Sequence, residues 1–137
     1  MRAILAALVL SLLAASQAYA EADQEQERYR CRVEGFYRFA DARFRPDETS
    51  ELIGQRFTVD RATGAITGFE LSNAEALERM VIDRGSSKQA FKVLSVFEVY
   101  GPYQGVKYLH IEEFAPTPEK AFFAVSGSWL LTGHCTR

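Results

Sequence analysis

The sequence predicts an all-β domain, strand-rich with at most one short helix, whose first and last strands are joined by a disulfide bond. Three observations support this fold class. Apolar and polar side chains alternate over residues 122–135 and again from Arg28 onward, which is typical of strands with one buried face. The chain also has two cysteines, Cys31 and Cys135, and each lies on the apolar face of one of these runs.

The alternation assigns the side chains of the two terminal runs to opposite faces. On the face predicted to be buried, the first run carries Tyr29, Cys31, Val33, Gly35, Tyr37 and Phe39, and the last run carries Phe123, Val125, Gly127, Trp129, Leu131, Gly133 and Cys135. The other face of the first run carries Arg28, Arg30, Arg32, Glu34 and Arg38. We therefore expect a charged outer surface on the first strand.

The two cysteines are predicted to form a structural disulfide in an oxidising compartment. The sequence contains no C-x-x-C spacing, which is the pattern of a redox motif. A Cys31–Cys135 bond would close a loop of about 105 residues, for which the chain-entropy model gives at most about 4 to 5 kcal/mol of stabilisation. We therefore expect a fold in which the first strand is joined covalently to the last.

Residues 1–20 have the pattern of a signal peptide. Arg2 precedes an apolar run over residues 4–15, and Ala18, Tyr19 and Ala20 form a small-x-small cleavage site. The apolar run is too short for a membrane span. We expect cleavage after Ala20, a flexible leader over residues 21–27, a single β-domain over residues 28–137, and a periplasmic or secreted location.

The middle of the chain predicts an antiparallel meander, curled into a small barrel or folded into a sandwich. The segment 60–64 has the composition of a turn between two strand-like runs, and Gly64 can supply its positive φ. Further strands are expected over residues 89–100 and 106–114. Ser72 and Glu75 have the spacing of a capping box, which predicts a short helix near residues 73–80.

Composition and motifs argue against nucleic-acid binding and give no support for catalysis. The formal net charge is −2, without the clustered basic excess that nucleic-acid-binding proteins usually show. A G-x-S-x-G elbow and a Gly-rich phosphate loop are both missing. His110 and Glu112 share a strand face and could reach one metal ion, but no third or fourth ligand is indicated. We expect no enzyme activity, no metal and no cofactor.

Two groups of side chains are candidate binding residues. The first is the positive strip of Arg28, Arg30, Arg32 and Arg38, which suits an acidic partner or an anionic membrane surface; alternatively, it is a solvated face that prevents edge pairing. The second is aromatic and comprises Tyr100, Tyr103 and Tyr108, placed around the 101–105 turn, with Trp129 on the last strand. These rings suit an interface or a ligand cavity, or else they fill the core and pack the turn.

Three resemblances accompany these residues. Residues 57–64, 91–95 and 127–135 resemble a group of small exported proteobacterial proteins with no assigned function. Gly127, Ser128 and Trp129 resemble the G-x-W signature of lipocalin-like and avidin-like barrels, which in those families lies on the first strand. Tyr29, Arg30 and Cys31 with a terminal cysteine are similar to the layout of small periplasmic lysozyme inhibitors, in which the cysteines are closer in sequence.

We therefore expect an exported, non-catalytic binding module, a protein-interaction or inhibitor-like domain that uses loops such as 41–56 and 101–105. Its partner would be a periplasmic or cell-envelope protein. The alternative is a lipocalin-like carrier that holds an apolar small molecule near Trp129. A second alternative is an enzyme of unknown class that depends on His110 or Glu112.

Overall fold

The computed structural model describes residues 27–100 and 103–137, so the predicted signal peptide and residues 21–26 of the predicted leader lie outside the described residues. The described chain forms nine strands and a single turn of 3-10 helix at Phe69–Leu71. In chain order the strands are β1 Arg28–Ala40, β2 Arg43–Pro46, β3 Arg56–Asp60, β4 Ile66–Thr67, β5 Glu78–Ser86, β6 Gln89–Tyr100, β7 Tyr103–Ile111, β8 Lys120–Ser126 and β9 Trp129–Thr136.

All nine strands belong to one antiparallel sheet, which curves into a half-barrel. The spatial order is β4-β3-β1-β9-β8-β7-β6-β5, and β2 pairs with the far end of β1. The long strand β1 therefore has β3 and then β2 on one edge and β9 on the other. From β5 to β9 the chain is a meander of hairpins, as the sequence predicts.

The predicted disulfide is confirmed and joins directly opposite residues of β1 and β9. Cys31 faces Cys135 in the register of the two strands, and the S–S distance is 2.01 Å. Both side chains are buried. Since their sequence separation is 104 residues, the bond and the ladder together fix the first strand of the domain against the last.

The inner face of the sheet forms one hydrophobic core, and side chains bring its two ends together. The β3–β4 turn packs against β5 and β6: a Cβ on Gly64 would lie 2.9 Å from Val81 Cγ2. Arg79 Nε donates to the Thr63 carbonyl at 3.0 Å, and an Arg61 guanidinium N–H donates to the Arg84 carbonyl at 3.3 Å. These contacts close the half-barrel without strand pairing between β4 and β5.

The predicted 60–64 turn is confirmed as the connection between β3 and β4. Gly64 has φ +70°, and its N–H donates to the Asp60 carbonyl at 2.8 Å. Partial burial opposes ionisation of Asp60, but hydrogen bonds from the backbone and hydroxyl of Thr63 outweigh it and lower the pKa of the carboxyl. The turn is thus held by its own side chains.

The predicted faces of β1 hold only for its first half. A β-bulge between Val33 and Gly35 inserts one residue, so every later side chain changes face. Phe36 is buried, whereas Phe39, predicted to be buried, is 51% exposed. Arg38 therefore has the alternation phase of Phe36 and does not share the outer face of the earlier arginines.

The predicted single run over residues 122–135 is wrong, because it consists of two strands joined by a two-residue turn. Ser126 pairs with Trp129 across Gly127 and Ser128, and Gly127 has φ +54°. A two-residue turn places positions three apart on one face. Phe122 and Ala124 are consequently the buried residues of β8, and the assignment of Phe123 and Val125 to the buried face is wrong.

The short helix expected near residues 73–80 is replaced by turns and by the start of β5. The Asn73 side chain is buried and bonds to the Ile66 N–H at 2.7 Å, the Gly64 carbonyl at 2.9 Å and the Ser95 hydroxyl at 3.0 Å, and its Oδ1 also accepts a longer bond from Arg79 at 3.5 Å. An asparagine with such partners competes with helix formation. Leu77 then begins the pairing with β6 through its N–H, at 2.8 Å from the Val96 carbonyl.

We predict that replacing both cysteines, Cys31→Ser with Cys135→Ser, lowers the free energy of unfolding by about 2 to 5 kcal/mol, because the unfolded chain regains the freedom of a long loop. Urea unfolding followed by circular dichroism measures the change. The reductant dithiothreitol should destabilise the wild-type protein and leave the double variant unaltered. Equal stability of oxidised wild type and double variant would contradict this role.

We also predict that Gly133→Ala destabilises the domain by about 3 kcal/mol, because its Cβ would lie 2.0 Å from the Arg32 carbonyl oxygen, which is backbone and cannot turn away. Gly54→Ala is the matched control, since Gly54 has φ +88° but no atom of the described chain lies within 4 Å of a Cβ built on it. Its cost should be about 1 kcal/mol. Thermal melts of both variants measure the two losses of stability. A larger loss in Gly54→Ala than in Gly133→Ala would contradict the prediction.

Candidate functional site

A groove on the outer face of the sheet, at the disulfide end of β1, is the strongest candidate binding site. Its centre is Arg32, which lies directly between Arg56 of β3 and His134 of β9. The neighbouring row places Arg30 between Thr58 of β3 and Thr136 of β9. Two rows of polar side chains thus cross three strands, and three of their members are arginines.

The groove has a volume of about 610 Å³. Glu34, Glu119 and Thr67 also line it. Glu34 is engaged within the site, since His134 Nδ1 lies 2.8 Å from its Oε2. The lining therefore carries three guanidinium groups against two carboxylates, with threonine hydroxyls between them.

Local sequence and register together produce this cluster. Arg30 and Arg32 point outward because Tyr29, Cys31 and Val33 alternate with them and are buried. Arg56 precedes the buried Phe57 in the same way. Because Cys31 is opposite Cys135, the residues that follow and precede them, Arg32 and His134, are also opposite each other.

The chemistry of this groove suits a carboxylate-bearing ligand. Guanidinium groups donate paired, planar hydrogen bonds that match the two oxygens of a carboxylate or phosphate. Arg32 and Arg56 are like charges on directly opposite positions, an arrangement that costs stability unless an anion lies between them. The threonine hydroxyls can donate or accept hydrogen bonds beside them.

The structure separates the four arginines that the sequence grouped together. Arg28 pairs with Asp60 at the start of β1 and does not line the groove. Arg38 lies beyond the bulge, where its Nε donates to Asp47 Oδ2 at 3.0 Å and its guanidinium lies over the Phe36 ring at 5.1 Å. Only Arg30 and Arg32 of the predicted strip therefore belong to this site.

Of the three tyrosines, Tyr108 lies away from the turn between β6 and β7. Tyr100 pairs with Tyr103 where β6 meets β7, whereas Tyr108 lies in mid-strand opposite Leu94. Tyr108 lies on the outer face of the sheet, 5.9 Å from the Phe123 ring centre. Trp129 is partly buried and packs against the hydrophobic core. It also lines a second recess, at the start of β9.

His110 and Glu112, considered as metal ligands, lie among ordinary surface side chains. His110 stacks on Phe123 at 4.6 Å between ring centres. Partial burial and the Lys92 ammonium lower the pKa of His110 below its usual 6.5, although Glu112 acts in the opposite direction. Within residues 27–100 and 103–137, no group of three or more histidine, cysteine or acidic side chains could hold a metal ion.

A buried polar cluster lies on the inner face of the sheet, where β1 begins and β9 ends. The Tyr29 hydroxyl donates to Glu113 Oε2 at 2.5 Å, and Arg137 forms an ion pair with the other carboxylate oxygen. The Arg61 guanidinium lies 5.4 Å from the Tyr29 ring centre. Burial raises the pKa of Tyr29, even though Arg61 and Arg137 oppose this effect. The Glu113 carboxylate is thus paired with both Tyr29 and Arg137, whereas the buried Arg61 Nε has no hydrogen-bond partner among the described residues.

Comparison with protein-family models, with curated proteins and with solved structures finds no match to this chain. The part of the chain that the structure describes contains no helix long and apolar enough to cross a membrane.

Sequence reasoning missed Arg56, His134, Lys107 and Glu113. Arg56 and His134 could have been found by extending the Cys31–Cys135 register to the adjacent residues. Lys107 and Glu113 have the alternation phase of the buried Leu109 and Ile111. Two charged residues on the inward face of a strand could therefore have been recognised as candidate site residues.

We predict that His110 destabilises the domain as the pH falls below about 6.5. Its imidazole is more readily protonated in the unfolded chain, because its pKa is lowered in the folded state. Urea unfolding at pH 7.5 and 5.5 should therefore show a loss of stability that is smaller in His110→Gln. His134→Gln is the control and should keep the loss; an NMR titration of His110 at or above 6.5 would contradict the prediction.

Proposed function

We propose that this protein is an exported, non-catalytic binding module whose outer groove binds an acidic segment of a periplasmic or cell-envelope protein. The observation that carries the proposal is the alignment of Arg32 with Arg56 and His134 across three paired strands, beside Arg30. If the partner is an enzyme, the same contact would make the domain inhibitor-like.

The charge distribution supports an acidic protein partner. The whole chain has a formal net charge of −2, yet the groove collects three arginines against two carboxylates. A local positive site on a mildly acidic protein attracts a complementary segment while repelling anionic surfaces at large. This balance favours a peptide segment over an extended anionic membrane surface.

The position of the disulfide supports binding by a preformed site. Cys31 and Cys135 lie directly between the two rows of the groove, and their bond joins the two strands that carry Arg30, Arg32 and His134. Ligand binding then orders fewer groups, so less interaction free energy is lost to conformational entropy. Formation of this bond also requires an oxidising compartment, which supports export through residues 1–20.

The test is the binding of a fluorescent peptide rich in glutamate, measured by fluorescence anisotropy with the oxidised protein. We expect Arg32→Glu to weaken binding by at least about tenfold. Arg43→Glu on β2 is the matched control, because it makes the same change in net charge at an exposed position outside the groove, and it should alter affinity by less than about twofold. Binding of the wild type should weaken as salt is raised.

Two outcomes would overturn the proposal. Equal weakening by the two substitutions would mean that net charge and not the groove governs binding. Binding of wild type to vesicles containing phosphatidylglycerol, with no binding to the peptide, would assign the arginines to a membrane surface. Retained folding of each variant is checked by thermal melting.

A further inference from the structure

A second recess lies on the inner side of the sheet, where the β8–β9 hairpin turns and β7 begins. Its volume is about 550 Å³, which is within the usual range for small-molecule sites. Two aromatic side chains, Phe97 and Trp129, and one cation, Lys107, line it together with Gly105, Ser126 and Gly127. It is separate from the groove around Arg32, and the two share no lining residue in the part of the chain that the structure describes.

Small and large residues lie side by side on the inner face at this level. Along the register Phe97 pairs with Gly105, Lys107 pairs with Ser126, and Ser126 pairs with Trp129. A Cβ added to Gly127 would meet no atom of the described residues within 4 Å. Phe97 and Trp129 are accordingly only partly buried.

Lys107 gives the recess its polarity. Its ammonium donates to the Glu70 carbonyl at 2.6 Å and to the Ser72 carbonyl at 3.3 Å, and it lies 4.6 Å from the Phe97 ring centre. These bonds use two of its three N–H donors. Among the described residues, no carboxylate lies within ion-pair distance of this nitrogen. A half-buried positive charge is therefore held in place without an opposite charge in contact.

Partial burial lowers the pKa of Lys107, and the charge of Glu70 opposes this only in part. The direction agrees with an ammonium that lacks a close counter-ion. An anion bound beside it would supply that counter-ion and would complete its set of hydrogen bonds.

We propose that this recess binds a small amphipathic carboxylate, with its apolar body between Phe97 and Trp129 and its carboxylate on the Lys107 ammonium. Shape provides the apolar contact and Lys107 provides the selectivity for a charged head group. The inference is independent of the proposed protein-binding function, because it concerns the opposite face of the sheet.

The experiment uses the only tryptophan of the chain as its reporter. Decanoate and decanol are titrated into the oxidised protein while the emission of Trp129 is recorded, below the concentrations at which either aggregates. We expect a saturable spectral shift with both, and about tenfold tighter binding of decanoate, since a hydrogen bond to a charged group adds that much. The absence of a saturable shift with decanoate overturns the proposal.

Two variants locate the site and test the role of the charge. Lys107→Met should remove the preference for decanoate while leaving decanol binding within about twofold. Ser126→Leu should fill the recess and abolish binding of both probes, whereas Ser87→Leu, an exposed serine in the β5–β6 turn, should change neither. If Lys107→Met loosens the 70–72 segment and fails to fold, Ser126→Leu still decides the location. Unaltered binding in Ser126→Leu, or an unaltered preference in folded Lys107→Met, overturns the assignment.

Discussion

The pairing of β1 with β9 is the constraint on which the rest of this structure depends. Cys31 and Cys135 are opposite each other in the ladder and covalently bonded, so the register of the two strands cannot slip by one residue. A slip would turn every buried side chain of one strand outward. Once this register is fixed, β3 and β2 add to one edge of β1, and the hairpins from β8 back to β5 extend the other side.

The bulge in β1 divides this strand into two parts with different roles. Before the bulge, Tyr29, Cys31 and Val33 are buried, which leaves Arg30 and Arg32 on the outer face. After it, Phe36 takes the buried position and Arg38 leaves the outer face. The basic groove ends where the phase changes. A strand of regular alternation would have kept Arg38 on the same face as Arg30 and Arg32.

The sequence was sufficient to predict the fold class and the disulfide, because alternation and cysteine phase are local properties. The assignment of side chains to the buried face was wrong where a single residue changes the phase of the alternation. The bulge near Gly35 moved Phe39 to the surface, and the turn at Gly127 exchanged the roles of Phe122 and Phe123. The helix expected near residue 75 depended on propensity, and it lost to the buried hydrogen bonds of Asn73. Arg56 joins Arg32 only through strand pairing, which no local pattern contains.

The two proposed sites lie on opposite faces of the sheet and share β9. His134 and Thr136 face the groove at the disulfide end of β9, while Trp129 faces the recess at the other end. Between them Gly133 packs so closely on the Arg32 carbonyl that no side chain fits. This contact and the disulfide hold β9 against β1. Both sites therefore depend on the same pairing of β9 with β1, which sets the face of the sheet on which His134 and Trp129 each stand.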